Sequence, residues 1–330
     1  MKMAQRHLDV GFVGFGRIAA GFDHPEGPAI NTHLKACLAD GRFAVAVVAD
    51  PDIDAAAATL RRWGVAAPIA SAETVLDAAL DVICIASPDD WHARQLARAA
   101  RGSARLILCE KPWSGDAATR ADVLATLDAR GATLVVNHTR RWIAPLTNWI
   151  AAARAGAFGP PLSAHVVYGR GLRHNAVHGL DLVSGFMAPR VLDVQRWGES
   201  IDDFASDDPT LSLMVTLASG DHRVPLWIEG IDGRMQSTFG VELRFADARV
   251  AIDDDGGLHA RLWRGAPASI PGFAPGLTQV ETWRDATPGP MSLLWSEIGD
   301  HLVDGRPMRH RGADCAGAYA LLESIDRLLQ

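Results

Sequence analysis

Five short runs decide the shape of the first 137 residues: DVGFVG (9–14), FAVAVVA (43–49), DVICIA (81–86), ARLILCE (104–110) and ATLVVN (132–137). Each is apolar nearly throughout, not at every second position, so each predicts a strand that loses both faces to helices. The stretches between them are rich in Ala, Leu and Arg and open on capping residues. Asp52 leads into IDAAAATLRRW, Ser71 into AETVLDAAL, Asp89 or Asp90 into WHARQLARAA, and Asp116 into AATRADVLATL. Strand and helix alternating at this spacing predict an α/β domain with a parallel, doubly wound sheet.

The pattern changes after residue 138. A helical stretch, WIAPLTNWIAAARAG (142–156), precedes a strand, LSAHVVYG (162–169), and a second helix over about 177–187. The runs PTLSLMVTLA (209–218), HRVPLWIEGI (222–231), MQSTFGVELRFA (235–246), ARVAIDD (248–254) and LHARLWRG (258–265) alternate in polarity. They read as neighbouring antiparallel strands joined by turns such as DDDGG (253–257). A Pro/Gly-rich loop spans about 266–290, and two helices close the chain at 292–305 and 314–329. The 330 residues suit two domains. The expected division is 1–137, doubly wound, and 138–330, an α+β domain with a large, mostly antiparallel open sheet. The last helix is expected to pack back on the first domain.

A net charge of −7 argues against nucleic acid or an anionic membrane as partner. The four cysteines are scattered without a CxxC pair and read as buried reduced thiols. No apolar run approaches the roughly 20 residues that span a bilayer. The N-terminal MKMAQRHLDVGFVGFG passes straight into a strand and a glycine turn, unlike a signal peptide. A soluble, cytoplasmic protein is the expectation.

The first strand runs into Gly14-Phe15-Gly16-Arg17-Ile18-Ala19, a G-x-G-x-x-A at a strand-to-helix junction. Gly14 permits the tight turn, Gly16 lets backbone N–H groups approach a pyrophosphate, and Ala19 lets the next helix pack closely. The second strand ends on Asp50, placed to accept hydrogen bonds from both adenosine ribose hydroxyls. Pro51, Asp52 and Asp54 bring no cation for a 2′-phosphate, so NAD is favoured and NADP comes second. Asp50 follows Gly14 by 36 positions, against a usual spacing of about 20. An inserted loop at GFDHPEGPAINTH (21–33), with the helix resuming at about Thr32, accounts for the excess, and its place after the glycine turn suits a cover for the cofactor.

Only three of the 32 basic residues are lysines, and Lys111 is one of them. It falls just beyond the carboxyl end of ARLILCE, on the sheet edge that carries Ser87 and Pro88, where an open parallel sheet binds ligands. In the second domain, His174, His178 and Asp181 are spaced i, i+4, i+7 and share one face if the helix extends back that far. Three readings compete. They are a histidine general base, an amphipathic helix with incidental polar residues, and a transition-metal ligand set, in that order.

Together these pieces resemble the Gfo/Idh/MocA family of NAD(P)-dependent oxidoreductases. The resemblance rests on GFGRIA, the Ser87-Pro88 before a helix bearing His92, Glu110-Lys111-Pro112, NHTRRW at 137–142, H-x-x-D at 178–181 and GRP at 305–307. It implies a Rossmann domain contacting NAD through Gly14, Gly16, Arg17, Ile18, Asp50, Ser87, Pro88, His92, Glu110 and Lys111. It also implies an open sheet that forms a homodimer or homotetramer, and oxidation of a sugar-type hydroxyl. By resemblance, Lys111 polarises the reacting oxygen and His178 is the acid/base. His174 stands where many members have an aspartate. Tyr168 to His178 match a Y-x-x-G-x-x-H-N-x-x-H variant in which Asn175 holds the substrate hydroxyl. Tyr168, His174 and Asp181 complete the candidate substrate set, with Arg170 and Arg173 placed for a phosphate or carboxylate, as in a nucleotide sugar. A redox-neutral NAD-dependent glycosidase and a non-catalytic NAD/sugar sensor are the alternatives.

Overall fold

The computed structural model describes residues 7–254, 257–266, 276–284 and 289–330, so part of the expected 253–257 turn and of the 266–290 loop lies outside the described residues. The chain divides into two compact units. One is Met1–Trp142 with Pro288–Ala313, and the other is Ile143–Thr287 with Asp314–Gln330. The division therefore falls after Trp142, and it is the penultimate helix, not the last, that joins the first unit.

In the first unit, β1 (Leu8–Val13), β2 (Phe43–Ala49), β3 (Val82–Ile85), β4 (Leu106–Glu110) and β5 (Thr133–Asn137) form one parallel sheet in the order β2-β1-β3-β4-β5. The helices are α1 (His33–Asp40), α2 (Ile53–Trp63), α3 (Ala72–Asp77), α4 (Asp89–Arg101) and α5 (Ala117–Ala129). Three expected caps are in place. The side chains of Asp52, Ser71 and Asp116 accept from the backbone N–H of Ala55, Thr74 and Thr119. At α4 the cap is Pro88, and Asp89 and Asp90 instead occupy the first turn, where the helix end favours negative charge. The returning helix α8 (Pro290–Asp304) completes the core: Trp295 stacks on Phe12 at 6.4 Å and meets Phe43 edge-on at 5.1 Å. Arg42 ties it down, donating to Asp300 Oδ1 at 2.7 Å and to Ser296 O at 2.8 Å.

The second unit holds α6 (Leu146–Arg154), β6 (Pro161–Tyr168), α7 (Val177–Met187), β7 (Arg190–Ala205), β8 (Asp208–Ser219), β9 (His222–Gly230), β10 (Gly240–Phe245), β11 (Ala248–Asp253), β12 (His259–Ala266) and β13 (Gly276–Arg284). The last helix, α9 (Gly312–Leu329), belongs to it from Asp314 on. Its sheet runs β13-β12-β11-β10-β6-β9-β8-β7, and among the described residues β6 and β9 pair in parallel while the other neighbours are antiparallel. One face is buried through Val166, Leu213, Val215, Leu226, Ile228 and Leu243, and α7 is buried along its whole length. The other face leaves Trp197, Met214 and Trp227 exposed. Two strands correct the sequence reading. β7 was not expected at all, and β13 lies inside the stretch expected to be loop. Both are sheet edges.

α7 lies close on β6 because Gly179 has no side chain. A Cβ there would fall 2.4 Å from Val166 Cγ1 and 3.0 Å from Cγ2. Gly179→Ala is expected to destabilise the protein by roughly 1–2 kcal/mol, since overpacking outweighs the alanine's helix propensity. A lower midpoint in thermal unfolding checks it.

All four cysteines are buried thiols, and burial pushes Cys37 and Cys84 well above the ordinary thiol value. Among the described residues, no helix is long and apolar enough to cross a membrane.

Candidate active site

The turn after β1 is built as the glycine spacing requires. Gly14 has φ +82°, and a Cβ on it would lie 2.5 Å from Ser87 N and 2.7 Å from Ala86 O, at the end of β3. Around the Cβ position of Gly16 there is no atom within 4 Å, so the backbone there is open to a ligand. Ala19 is fully buried, Ile18 packs on the core, and Arg17 is exposed. Arg17–Gly21 forms a single π-type turn, and the chain then leaves for the insert. Helix α1 begins behind Thr32, whose side chain caps it, as the spacing predicted. Asp23 fixes the insert from within. Its carboxylate accepts from the N–H groups of Asn31 and Thr32, both at 2.7 Å, and from the Thr32 hydroxyl at 2.8 Å. Lys35 donates to His24 O at 2.8 Å and to Gly27 O, so this lysine clamps the loop's carbonyls.

Asp50 is aimed at the glycine turn. Its Oδ2 accepts from Phe15 N–H at 2.7 Å and its Oδ1 from Asp52 N–H at 2.9 Å. Each carboxylate oxygen keeps a second acceptor direction, enough for the paired hydroxyls of a ribose. An open Gly16, a fixed Asp50, and carboxylates without a cation at 50–54 fit a dinucleotide with an unesterified ribose.

Lys111 follows β4 at the carboxyl edge of the sheet, half-buried, joined to Pro112 by a cis peptide. Two neighbours expected to touch the cofactor are turned inward instead. His92 is fully buried, its Nδ1 2.8 Å from Pro112 O and its Nε2 2.8 Å from Ser87 O. A neutral imidazole donates to one of these carbonyls at a time, so His92 ties either the loop after β3 or the loop after β4 from inside the unit. Ser87 is further fixed by a 2.5 Å hydrogen bond from its hydroxyl to Gln95 Oε1, while Pro88 is exposed. Glu110 is buried, and its Oε1 lies 2.7 Å from His33 Nε2 and 2.6 Å from Asn137 Nδ2. Burial pushes this carboxyl up, but the His33 and Asn137 hydrogen bonds and the charge of Lys111 outweigh it. They hold Glu110 below its ordinary value, as a carboxylate. His33 and Trp295 escaped the sequence reading. A hint was available in the histidine that directly follows the cap Thr32, but their meeting with Glu110 depends on three separate elements.

In the second unit, three side chains from β7 and β8 shape residues 170–174. Asp203 Oδ2 accepts from Arg170 N–H (2.8 Å), Thr210 Oγ1 from Gly171 N–H (2.8 Å), and Asp208 from Arg173 N–H (2.8 Å) and His174 N–H (2.9 Å). Burial alone would raise Asp203. Its hydrogen bonds from Gly233, Thr210 and Arg170 leave it lowered. Leu172–Ala176 then form a π-type turn leading into α7. That turn closes at i+5, not i+4, and it corrects the expected histidine face. His174 stacks on Phe204 at 4.2 Å and 21°, whereas His178, buried on α7, meets Phe239 edge-on at 6.3 Å.

Asp181 is buried on α7 with His178. Asn175 donates its amide to Gly169 O at 2.8 Å. Arg173 donates to Asp326 at 3.1 Å and to Asp207 O at 2.8 Å. Tyr168 is fully buried, and its hydroxyl donates to Leu211 O (2.9 Å) and accepts from Leu211 N–H (2.8 Å). Among the described residues, no three His, Cys, Asp or Glu side chains converge as a metal site.

Residues 8–138 match the oxidoreductase family GFO_IDH_MocA, NAD-binding Rossmann fold. No curated protein sequence matches the chain. Several solved structures share its fold from end to end. A UDP-N-acetylglucosamine 3-dehydrogenase from Acidithiobacillus ferrooxidans is 17% identical with a TM-score of 0.72, covering 98% of this chain and 99% of its own. An oxidoreductase domain protein from Kribbella flavida is 14% identical with a TM-score of 0.75, covering 98% and 97%. A 3-ketoreductase from Actinomadura kijaniata, in complex with TDP-benzene and NADP, is 15% identical with a TM-score of 0.71, covering 97% of each chain.

Proposed function

We propose that the protein oxidises a hydroxyl of a sugar, polyol or nucleotide sugar with NAD, a reading that proceeds from the match of residues 8–138 to the NAD-binding Rossmann fold of the oxidoreductase family GFO_IDH_MocA. The observation that carries the reading is Lys111, a scarce lysine at the carboxyl edge of the parallel sheet, backed by a buried, ionised Glu110. The Gly14–Gly16 turn would hold the pyrophosphate and Asp50 the adenosine ribose. When bound, NAD supplies the hydride acceptor. Lys111 places positive charge at the substrate oxygen, where negative charge develops as the hydride leaves. His178 takes the hydroxyl proton, and Asp181, buried on the same helix, is a candidate substrate contact. The substrate class draws on the activities named for the structures of like fold, a nucleotide-sugar dehydrogenase and a ketoreductase.

The test follows nicotinamide absorbance as the protein meets NAD or NADP and a panel of sugars, polyols and nucleotide sugars. Reduction of NAD with one class establishes the dehydrogenase and identifies its substrate. Tight NAD binding with no reduction across the panel would overturn it and favour the redox-neutral glycosidase or the sensor.

A further inference from the structure

The main chain on both sides of Lys111 is fixed, and one of the fixings begins in the helix that follows the 21–32 insert. On one side Pro112 O faces His92 Nδ1. On the other, Glu110 Oε1 takes two hydrogen bonds, at 2.7 Å from His33 and 2.6 Å from Asn137. His33 is fully buried at the first position of α1, and its Nδ1 lies 3.2 Å from the indole Nε1 of Trp295. An indole N–H can only donate, so His33 Nδ1 must be the acceptor. The ring proton is therefore on Nε2, directed at Glu110.

The consequence concerns Lys111. A buried carboxylate with a loose side chain would swing onto the adjacent ammonium or take up a proton, and either would change the charge presented at the sheet edge. Two donors on Oε1 oppose both changes. The Trp295–His33–Glu110 path joins α8, α1 and β4, and Asp23 connects it to the insert through the cap residue Thr32. We propose that His33 is a positioning residue for Lys111: held in one tautomer by Trp295, it keeps Glu110 a fixed carboxylate and Lys111 a fixed, charged ammonium. This rests on the reading of Lys111 as the group that polarises the substrate oxygen.

The chain's three lysines make Lys111 readable without any substrate. Lysine labelled with 13C at Cε gives three resonances, with Lys111 assigned by its loss in Lys111→Arg. In His33→Leu the titration midpoint of Lys111 should rise by about one pH unit, because Glu110, still ionised at the alkaline pH where an ammonium titrates, loses a donor that draws off its charge and turns onto the ammonium. Once a substrate is in hand, kcat should fall about ten-fold with KM for NAD within about two-fold. His33→Gln, whose carboxamide can donate in place of Nε2, should recover most of both. Lys35, two residues further along α1, reports whether the helix itself survives. If its resonance also moves, Trp295→Phe decides, since losing the indole donor frees His33 Nδ1, no longer holds the ring proton on Glu110, and should raise the Lys111 midpoint in the same direction.

An unchanged Lys111 titration in His33→Leu with Lys35 unmoved, or in Trp295→Phe, overturns the proposal. So does a His33→Gln variant that behaves like leucine. Absence of turnover in the unsubstituted protein would count against the oxidoreductase reading alone, because the titration does not depend on it.

Discussion

Lys111→Ala is expected to lower kcat by two to three orders of magnitude while NAD binds as before. Removing one preorganised donor from a developing oxyanion costs about 2.7–4 kcal/mol. Here the charge sits on a segment pinned by Glu110 and by the His92 contact with Pro112, so no neighbouring cation drifts in to replace it. Cofactor contacts assigned to Gly14, Gly16 and Asp50 are untouched by the change. Lys111→Arg should recover little, because a broad planar guanidinium does not occupy the place of a compact ammonium. Steady-state kinetics with a separate NAD titration checks both variants. Turnover near normal in either one would remove Lys111 from the reaction.

His178→Asn should be about as damaging, with kcat lowered by about a hundred-fold to ten-thousand-fold, the usual worth of a positioned proton carrier. Asparagine keeps a polar side chain of similar reach but cannot take up a proton. Because α7 is buried throughout and its packing on β6 runs through Gly179 and Val166, the helix should stay in place. Thermal unfolding of the variant serves as the control, and kcat as the readout. A variant that unfolds normally and still turns over at the unsubstituted rate would exclude His178 as the acid/base.

The parallel sheet was readable because its five strands are buried on both faces, and continuous Val, Ile and Leu record that burial directly. The same reasoning explains the two missed strands. β7 (RVLDVQRWGESIDDFA) and β13 (GLTQVETWR) are sheet edges whose residues are mostly exposed, so no apolar period marks them. Thr32 as the start of α1 and the 21–32 insert were legible from spacing alone, because Asp50 came too late after Gly14. The histidine face failed for a local reason. The i, i+4 rule assumes an α-helix, and a π-type turn at Leu172–Ala176 shifts the phase before α7 begins. Tyr168, His92 and Arg173 stand out in the sequence for their chemistry, and each has hydrogen-bond partners inside its own unit that no local pattern announces. His33 and Trp295 stand far apart in the chain, and no local period could have joined them.

Trp295 has one more consequence, for the order in which the chain becomes a protein. The core around Phe12 and Phe43 is finished by a helix made only after the whole of Ile143–Thr287 has been synthesised. On the ribosome that delay amounts to roughly ten to thirty seconds at ordinary elongation rates. Throughout it the nascent first unit presents an apolar patch with no lid, while the second unit's central strands are already available to pair. The second unit is thus spliced into the first, and it closes last in its turn, because its own final helix is made only after α8.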